Sequence, residues 1–382
     1  MGVNNAALLF STTTTTTTMN PPQINDDAFH VCARSTVDYS GANAYVQSHY
    51  RHNDHSLYFP ADVSIEKIYN GRVLQSQYTN EQQMLQHQGL ALIPSPSSTH
   101  SNWNDLQDIA QNHIPELERI VTHLFPNGMM HCFWNPMVRG SAYNVTRVDG
   151  EDGSNSTSAD TRTTRSSSTP SANIASLVHI DTDVGAYKSL DAFLGLIENN
   201  QIQSETSTST FDRVAYMNAI GRDNKRFAIV NFWRNISDDP VECYPLAILS
   251  TRYNASNACA TATASTGIRE SESAFPDAMP DMEKSNWYLF PQATKDEVIA
   301  FYQYDRLMTQ PSDLWHCAIC TDPVNENAAK VQHRESFDVR MLIVLDEEIP
   351  PEADRYRPSR TRPILSLEES GCFCDEQAEK RQ

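Results

Sequence analysis

The sequence predicts a mainly β fold with flanking helices, in which antiparallel strands form a closed or sandwiched core. After residue 175 the apolar runs are short and rich in β-branched and aromatic residues, which is typical of strands: ASLVHI, FAIVNFW, LAIL, NWYLF, EVIAFYQY and VRMLIVL. Before them, residues 106–124 repeat their apolar side chains at helical spacing. The chain has 382 residues, of which 39% are apolar, so it can bury one large core.

The helical segment begins after polar residues and contains one proline. Its apolar side chains are Leu106, Ile109, Ile114, Leu117, Ile120, Val121 and Leu124. Asn104 is the expected N-terminal cap, because its side chain can accept a hydrogen bond from a free backbone N–H. Pro115 either kinks this helix or restarts it.

Three polar segments divide the chain. Residues 1–25 contain a run of threonines and are expected to be disordered. Residues 149–173 contain almost no apolar side chain, so we expect a disordered surface insertion. Residues 346–382 form a charged tail with several prolines. The remainder is one predicted domain, 26–345, with a mixed N-terminal part at 26–148 and the β core at 174–345.

Charge and composition exclude several classes of function. Acidic residues outnumber basic ones by 48 to 29, for a net charge of −19, which argues against nucleic-acid binding. No GxGxxG or GxxxxGK[ST] motif occurs, so nothing supports a dinucleotide or P-loop site. No apolar run approaches the ~18 residues of a membrane span. The 8 cysteines are scattered, and we expect a reduced, cytoplasmic protein.

The sequence Val178-His179-Ile180-Asp181 is the sharpest local feature. Residues two apart on a strand face the same side, so the imidazole of His179 and the carboxylate of Asp181 can converge. One more imidazole would complete a two-histidine, one-carboxylate site, which holds Fe(II) and leaves positions open. H-x-D alone is a weak signal in a chain with 12 histidines, and Asp183 is a rival carboxylate.

A second histidine lies far along the chain, in the sequence WHCAICTDP. His316 is compatible with a distal ligand that arrives from a late strand, although a buried core histidine is the plainer interpretation. Cys317 and Cys320 have the C-x-x-C spacing of a zinc site. Such a site needs a second close pair, and Cys372-x-Cys374 has the wrong spacing for a zinc ribbon.

A late strand carries alternating polar residues on one face. By alternation these are Arg334, Ser336, Asp338 and Arg340, with Phe337 and Val339 opposite. A guanidinium with a hydroxyl two residues later could bind a carboxylate through charge-assisted hydrogen bonds. A half-solvated strand with an Arg–Asp ladder explains the same pattern.

The order of these motifs resembles a known family. VHID is followed by VNFWRNI with PLAIL, then WYLFP-x5-EV-x4-QYD, H-x5-DP and RES-x3-R. This series is similar to the AsaB-type hydroxylase/desaturase family, which includes the CmcJ-like proteins. The resemblance covers roughly residues 65–345, apart from the polar insertion. It implies that the predicted domain is catalytic, with a double-stranded β-helix of the jelly-roll or cupin type.

The resemblance also implies an oxidoreductase that uses Fe(II), 2-oxoglutarate and O2. Such an enzyme hydroxylates or desaturates a C–H bond of a small molecule of the secondary-metabolite kind. The iron ligands carried over to this chain are His179, Asp181 and His316.

The resemblance assigns further residues to the same cavity. Arg334 and Ser336 match an R-x-S motif that holds the distal carboxylate of 2-oxoglutarate, and Arg340 is the rival arginine. Three residues of VNFWR are expected to line or support the cavity: Asn231, Trp233 and Arg234.

Some family positions differ here, and other functions stay open. Ser250 replaces an acidic residue, Tyr302 replaces a lysine, and Cys317 follows the proposed ligand His316. These changes affect substrate identity and leave the proposed ligands intact. The alternatives are an inactive or accessory cupin-like binding protein and a CmcJ-like, methyltransferase-associated component. No glycine-rich nucleoside-binding loop supports the latter.

Overall fold

The computed structural model describes most of the predicted domain. The described residues are 31–38, 62–96, 102–140, 171–172, 178–181, 189–204, 211–251, 259–266, 269–276, 285–306, 314–319 and 334–349. The threonine-rich start at 1–25 lies outside them, as do most of the polar insertion and most of the tail. The predictions for those segments therefore stay predictions.

The strands dominate the described part. In chain order they are β1 Val31–Asp38, β2 Asp62–Asn70, β3 Leu90–Pro94, β4 Gly128–Gly140, β5 Ser171–Ala172, β6 Gln201–Ile202, β7 Lys225–Asn235, β8 Leu246–Thr251, β9 Cys259–Thr266, β10 Arg269–Pro276, β11 Ser285–Leu289, β12 Glu297–Asp305, β13 Trp315–Ala318 and β14 Glu335–Glu348. The β-rich apolar runs from FAIVNFW onward coincide with strands or their ends. β14 continues beyond residue 345, the predicted end of the core.

The helices are short and lie mostly between the early strands. They are α1 Gly71–Gln75, α2 Glu81–Gln88, α3 Leu106–Asp108, α4 Ile114–Leu124, α5 Leu190–Asn200 and α6 Arg213–Met217, with π-helical turns at Ile109–His113 and Asn218–Arg222. Among the described residues, no helix combines the length and the apolarity needed to cross a membrane.

Two larger sheets build the molecule. The large sheet has the order β3-β12-β7-β14-β4-β5, with β6 also paired to β4, and the small sheet has the order β1-β2-β11-β8-β13. β9 and β10 form a separate two-stranded sheet. Apolar side chains of both larger sheets share one core, in which Ile248 and Tyr288 of the small sheet join Phe301 and Val339 of the large one. The predicted mainly β architecture with flanking helices is confirmed.

The centre of the large sheet is buried on both faces. β7 pairs with β12 on one side and β14 on the other, and nearly all of its side chains are buried. Strands covered on both faces read as continuous apolar runs, which is why FAIVNFW and VRMLIVL lack the alternation of a surface strand. Polar residues within these runs are therefore buried and require a specific partner.

The predicted helix at 106–124 is interrupted. A π-helical turn separates α3 from α4, and Pro115 lies in the first turn of α4, where its missing N–H costs no hydrogen bond. Pro115 thus restarts the helix. The cap prediction was wrong by one residue, because Asp105, rather than Asn104, accepts from the backbone N–H of Gln107 at 2.9 Å.

A buried polar cluster joins this helical segment to β7. Arg234 donates to both carboxylate oxygens of Glu116, at 2.7 Å each, and to the carbonyl oxygen of Ser95 at 2.7 Å. The His113 Nδ1 atom lies 3.2 Å from Glu116 Oε2. Burial lowers the pKa of His113 to about 4, with Arg234 acting in the same direction and Glu116 opposing. His113 is therefore neutral at pH 7.

This neutral histidine makes stability depend on pH. The pKa of His113 is about 4 in the folded protein and near 6.5 when unfolded, so the unfolded state binds more protons between these values. The contribution of neutral His113 to the free energy of unfolding is complete above pH 6.5 and is lost as the pH falls towards 4. We expect this loss to be on the order of 3 kcal/mol. Urea unfolding of wild type and of His113→Phe from pH 7 to pH 4.5 measures it. An equally steep decline in the variant would contradict the assignment.

Candidate metal centre

The two predicted histidines lie directly opposite each other at the edge of the small sheet. Residues 178–181 run beside β13, and His179 and His316 form an antiparallel bridge. Each backbone N–H donates to the carbonyl oxygen of the other residue at 3.1 Å. Paired residues in an antiparallel ladder project their side chains to the same face. The imidazole ring centroids are accordingly 4.3 Å apart.

Asp181 brings its carboxylate to the same point. Asp181 Oδ1 lies 3.3 Å from His179 Nε2, and Asp181 Oδ2 lies 3.4 Å from His316 Nε2. All three residues are buried, and one ligand atom from each lies within 4.8 Å of the others. The structure therefore brings together the H-x-D pair and the distal histidine.

The protonation of these groups suits a cation. The Leu314 carbonyl oxygen lies 3.2 Å from His316 Nδ1 and can only accept, so Nδ1 carries the proton and Nε2 offers a lone pair. Burial lowers the pKa of His316, which keeps the ring neutral. Burial alone would raise the pKa of Asp181, but Arg340 holds it well below its usual range. Two imidazoles and one carboxylate match the donor set of non-haem Fe(II) sites with open positions.

Two side chains of the large sheet hold the Asp181 carboxylate from behind. Arg340 Nη2 lies 3.0 Å from Asp181 Oδ1, and Asn231 Nδ2 donates to Asp181 Oδ2 at 3.0 Å. The backbone N–H of Asp181 donates to Gln303 Oε1 at 3.0 Å. Both the carboxylate and the main chain of Asp181 are thus fixed by β7, β12 and β14.

A cavity of about 320 Å³, including its open mouth, adjoins the histidines. Its lining residues are Arg139, His179, Asn231, Trp233, Leu246, Phe301, His316, Cys317, Ala318, Arg334 and Asp338. The cavity lies between the two sheets, since β4, β7, β12 and β14 contribute one wall and β8 and β13 the other. Its surface combines apolar side chains with buried charges.

Arg334 is the least compensated charge of this cavity. Its guanidinium donates to the Tyr244 carbonyl oxygen and, at 3.3 Å, to Ser336 Oγ, and it lies 5.0 Å from the Trp233 ring centroid. Arg334 Nε is buried without a hydrogen-bond partner among the described residues. Burial lowers the pKa of Arg334 to about 9, with Arg139 adding to the effect. A bound carboxylate would compensate this buried cation.

The structure separates the residues that were predicted to share the cavity. Asn231 and Trp233 line it, whereas Arg234 does not. Arg234 points to the opposite face of β7 and binds Glu116, because successive side chains on a strand alternate between faces. Arg340 is not among the lining residues and instead contacts Asp181.

Other site residues carried weaker signals in the sequence. Arg139 donates to Asp338 at 2.8 Å and lines the cavity, and Gln303 accepts from the backbone N–H of Asp181. Gln303 belongs to the QYD motif, but the sequence assigned no role to Gln303 or to Arg139. Their positions on β4 and β12 become informative only once the strand register is known. The rival carboxylate Asp183 and the zinc candidate Cys320 lie outside the described residues.

Comparison with known proteins places the chain in a family. A family model described as an oxidoreductase/YMDC permease-like domain matches residues 38–344. The chain belongs to this family. The match includes all three residues of the candidate metal centre and the strands of both larger sheets, except most of β1 and the end of β14. No curated protein matches the sequence of this family member.

Solved structures with a similar fold are iron enzymes. One of them is the iron and alpha-ketoglutarate-dependent endoperoxidase NvfI. It superposes on this chain with a TM-score of 0.50 at 17% sequence identity, and the match covers 74% of this chain and 86% of NvfI. A tryptophan-to-phenylalanine variant of NvfI gives a TM-score of 0.51 at 16% identity, over 82% of this chain and 98% of the variant. At these identities the likeness shows the fold. It confirms the predicted double-stranded β-helix.

Proposed function

We propose that this protein is an Fe(II)- and 2-oxoglutarate-dependent oxygenase that oxidises a C–H bond of a small molecule. The observation that carries the proposal is the convergence of His179, Asp181 and His316 within 4.8 Å beside a cavity that contains a buried arginine. The membership in an oxidoreductase family and the fold shared with NvfI support it. An accessory binding protein would not need a complete, buried ligand set.

His179, Asp181 and His316 would hold the iron. When bound, Fe(II) would supply the activation of O2 that couples oxidative decarboxylation of 2-oxoglutarate, to succinate and CO2, with insertion of one oxygen atom into a C–H bond. The three residues approach from one side, and their arrangement would leave the cavity side free for the cosubstrate. Their burial excludes bulk water from the reacting atoms.

Arg334 and Ser336 would bind the distal carboxylate of 2-oxoglutarate. Arg334 has a buried N–H without a described partner, and the Ser336 hydroxyl lies 3.3 Å from its guanidinium. A guanidinium can bind a carboxylate through two parallel hydrogen bonds, which fixes its position as well as its charge. The Trp233 ring beside Arg334 would orient the guanidinium.

The remaining cavity wall favours a small, partly apolar substrate. Leu246, Phe301 and Ala318 supply apolar surface, while Asp338 and Arg139 form an ion pair that can accept and donate hydrogen bonds. A cavity between two sheets, with a few polar groups among apolar ones, suits a metabolite rather than a macromolecule. We expect hydroxylation and desaturation to use the same metal ligands.

An anaerobic titration tests the proposal. Wild-type protein with Fe(II) and 2-oxoglutarate is expected to develop a visible metal-to-ligand charge-transfer band and, after admission of O2, to form succinate. The control replaces 2-oxoglutarate with succinate, which lacks the 2-oxo group. If wild type gives neither a band that is absent from this control nor more succinate than a reaction without Fe(II), the proposed function is wrong. If wild type does form succinate, a screen for small metabolites that increase the rate of succinate formation would identify the substrate.

A further inference from the structure

Three residues on neighbouring strands form a row directly behind Asp181. In the large sheet, Arg340 of β14 pairs with Asn231 of β7 on one side and with Trp134 of β4 on the other. The Arg340 guanidinium carbon lies 5.3 Å from the Trp134 ring centroid. Paired residues project to the same face of a sheet, so the side chains stand side by side. We call Arg340, Asn231 and Trp134 the Asp181 cradle.

The cradle engages each oxygen of the carboxylate separately. Arg340 lies 3.0 Å from Asp181 Oδ1, and Asn231 donates to Asp181 Oδ2 at 3.0 Å. Two donors on different oxygens prevent rotation about the Cβ–Cγ bond, which a single hydrogen bond would allow. The contact with Arg340 is charge-assisted and therefore the stronger of the two. Trp134 stacks against the guanidinium and limits its movement.

The same geometry gives Arg340 a role different from that of Arg334. Arg334 immediately precedes β14 and lies six positions before Arg340, which corresponds to roughly 20 Å along an extended chain. Arg334 lines the cavity, whereas Arg340 directs its guanidinium to a metal-binding carboxylate. A hydrogen bond to Asp181 leaves Arg340 poorly placed to bind a second carboxylate in the cavity.

We propose that Arg340 and Asn231 are positioning residues that act on the metal through Asp181. They hold the carboxylate so that it presents an oxygen towards His179 and His316 before the metal arrives. Arg340 also balances the charge of Asp181, which leaves more of the positive charge of the metal available to an anionic cosubstrate. This inference rests on the proposed function, because it requires that His179, Asp181 and His316 bind a metal.

Cobalt(II) binding without 2-oxoglutarate tests the inference independently of catalysis. Visible absorption titrations compare wild type with Arg340→Met, Asn231→Leu and the matched arginine control Arg334→Met. We expect Arg340→Met to bind Co(II) about 10-fold or more weakly, since outer-shell partners typically contribute this much. Asn231→Leu changes the affinity in the same direction, and Arg334→Met leaves it unchanged. Circular dichroism confirms folding, and Asn231→Leu carries the test if Arg340→Met does not fold.

A double-mutant cycle separates positioning from general structural support. In an Asp181→Asn background, removal of Arg340 is expected to change Co(II) affinity less than about twofold, because the carboxylate through which it acts is absent. An equal loss in both backgrounds would refute the inference, as would wild-type affinity in both Arg340→Met and Asn231→Leu. Failure of wild type to bind Co(II) would instead reject the proposed function, and the inference with it.

Discussion

Replacement of His316 by alanine is expected to abolish Fe(II)-dependent turnover and to weaken divalent-metal binding by roughly 10²- to 10³-fold. Structural sites with four ligands bind Zn²⁺ with about 10–16 kcal/mol, which corresponds to roughly 2.5–4 kcal/mol per ligand. Every 1.4 kcal/mol is a factor of about ten in affinity. A centre with only three protein ligands has no spare group to take the place of an imidazole. Isothermal titration with Mn(II), followed by succinate assays, measures both effects.

The matched control for this prediction is His123→Ala. His123 is exposed on α4, with 53% of its side chain accessible, and lies outside the metal centre. It is expected to retain wild-type metal affinity. His179→Ala should reproduce the effect of His316→Ala, because the two imidazoles face each other across one bridge. Wild-type metal affinity in both site variants would show that the metal, if bound, lies elsewhere.

Replacement of Arg334 by methionine is expected to raise the dissociation constant for 2-oxoglutarate by about 100-fold or more, without a change in metal affinity. Loss of one partner from a buried charge pair costs about 2–5 kcal/mol, which corresponds to factors of roughly 30 to several thousand. Methionine preserves much of the apolar stem that packs against Trp233. Quenching of tryptophan fluorescence by 2-oxoglutarate in the presence of Mn(II) gives the dissociation constant.

A conservative substitution sharpens this result. Arg334→Lys keeps a positive charge but loses the planar fork, so we expect an affinity between those of wild type and Arg334→Met. If both variants bind 2-oxoglutarate as tightly as wild type, Arg334 does not hold the cosubstrate. If, in addition, Arg340→Met weakens 2-oxoglutarate binding at saturating metal, the assignments of the two arginines must be exchanged.

The fold was predictable largely because the central strands are covered on both faces. Runs such as FAIVNFW and VRMLIVL have few alternative ways to bury their side chains, and they form β7 and β14. Pro115 indicated an interruption of the helix, but the π-helical turn at Ile109–His113 was not predictable, because His113 of this turn contacts Arg234, which is distant in sequence, at 3.3 Å. Local patterns report local preferences, whereas such clusters depend on tertiary contacts.

The site was predictable only in part. H-x-D spacing placed His179 and Asp181 together, and the motif order added His316 through a family resemblance. Neither signal could decide whether Arg334 or Arg340 faces the cosubstrate, since alternation puts both on the same face of the predicted strand. The distinction required the position of Asp181 relative to that strand. Arg234 was expected at the cavity together with Asn231 and Trp233, but alternation along β7 places its side chain on the opposite face from Trp233.

One strand, β14, carries Arg340 behind the metal centre and Asp338 in the cavity wall, while β4 and β7 flank it on both sides. A slip of one residue in its pairing would turn these polar side chains into the apolar core and expose Phe337 and Val339 to the cavity. A misregistered chain would thus lose its hydrophobic packing and its polar site in the same event. The metal centre and the cavity therefore form only in the correctly folded protein, and partly folded molecules should have neither metal affinity nor activity.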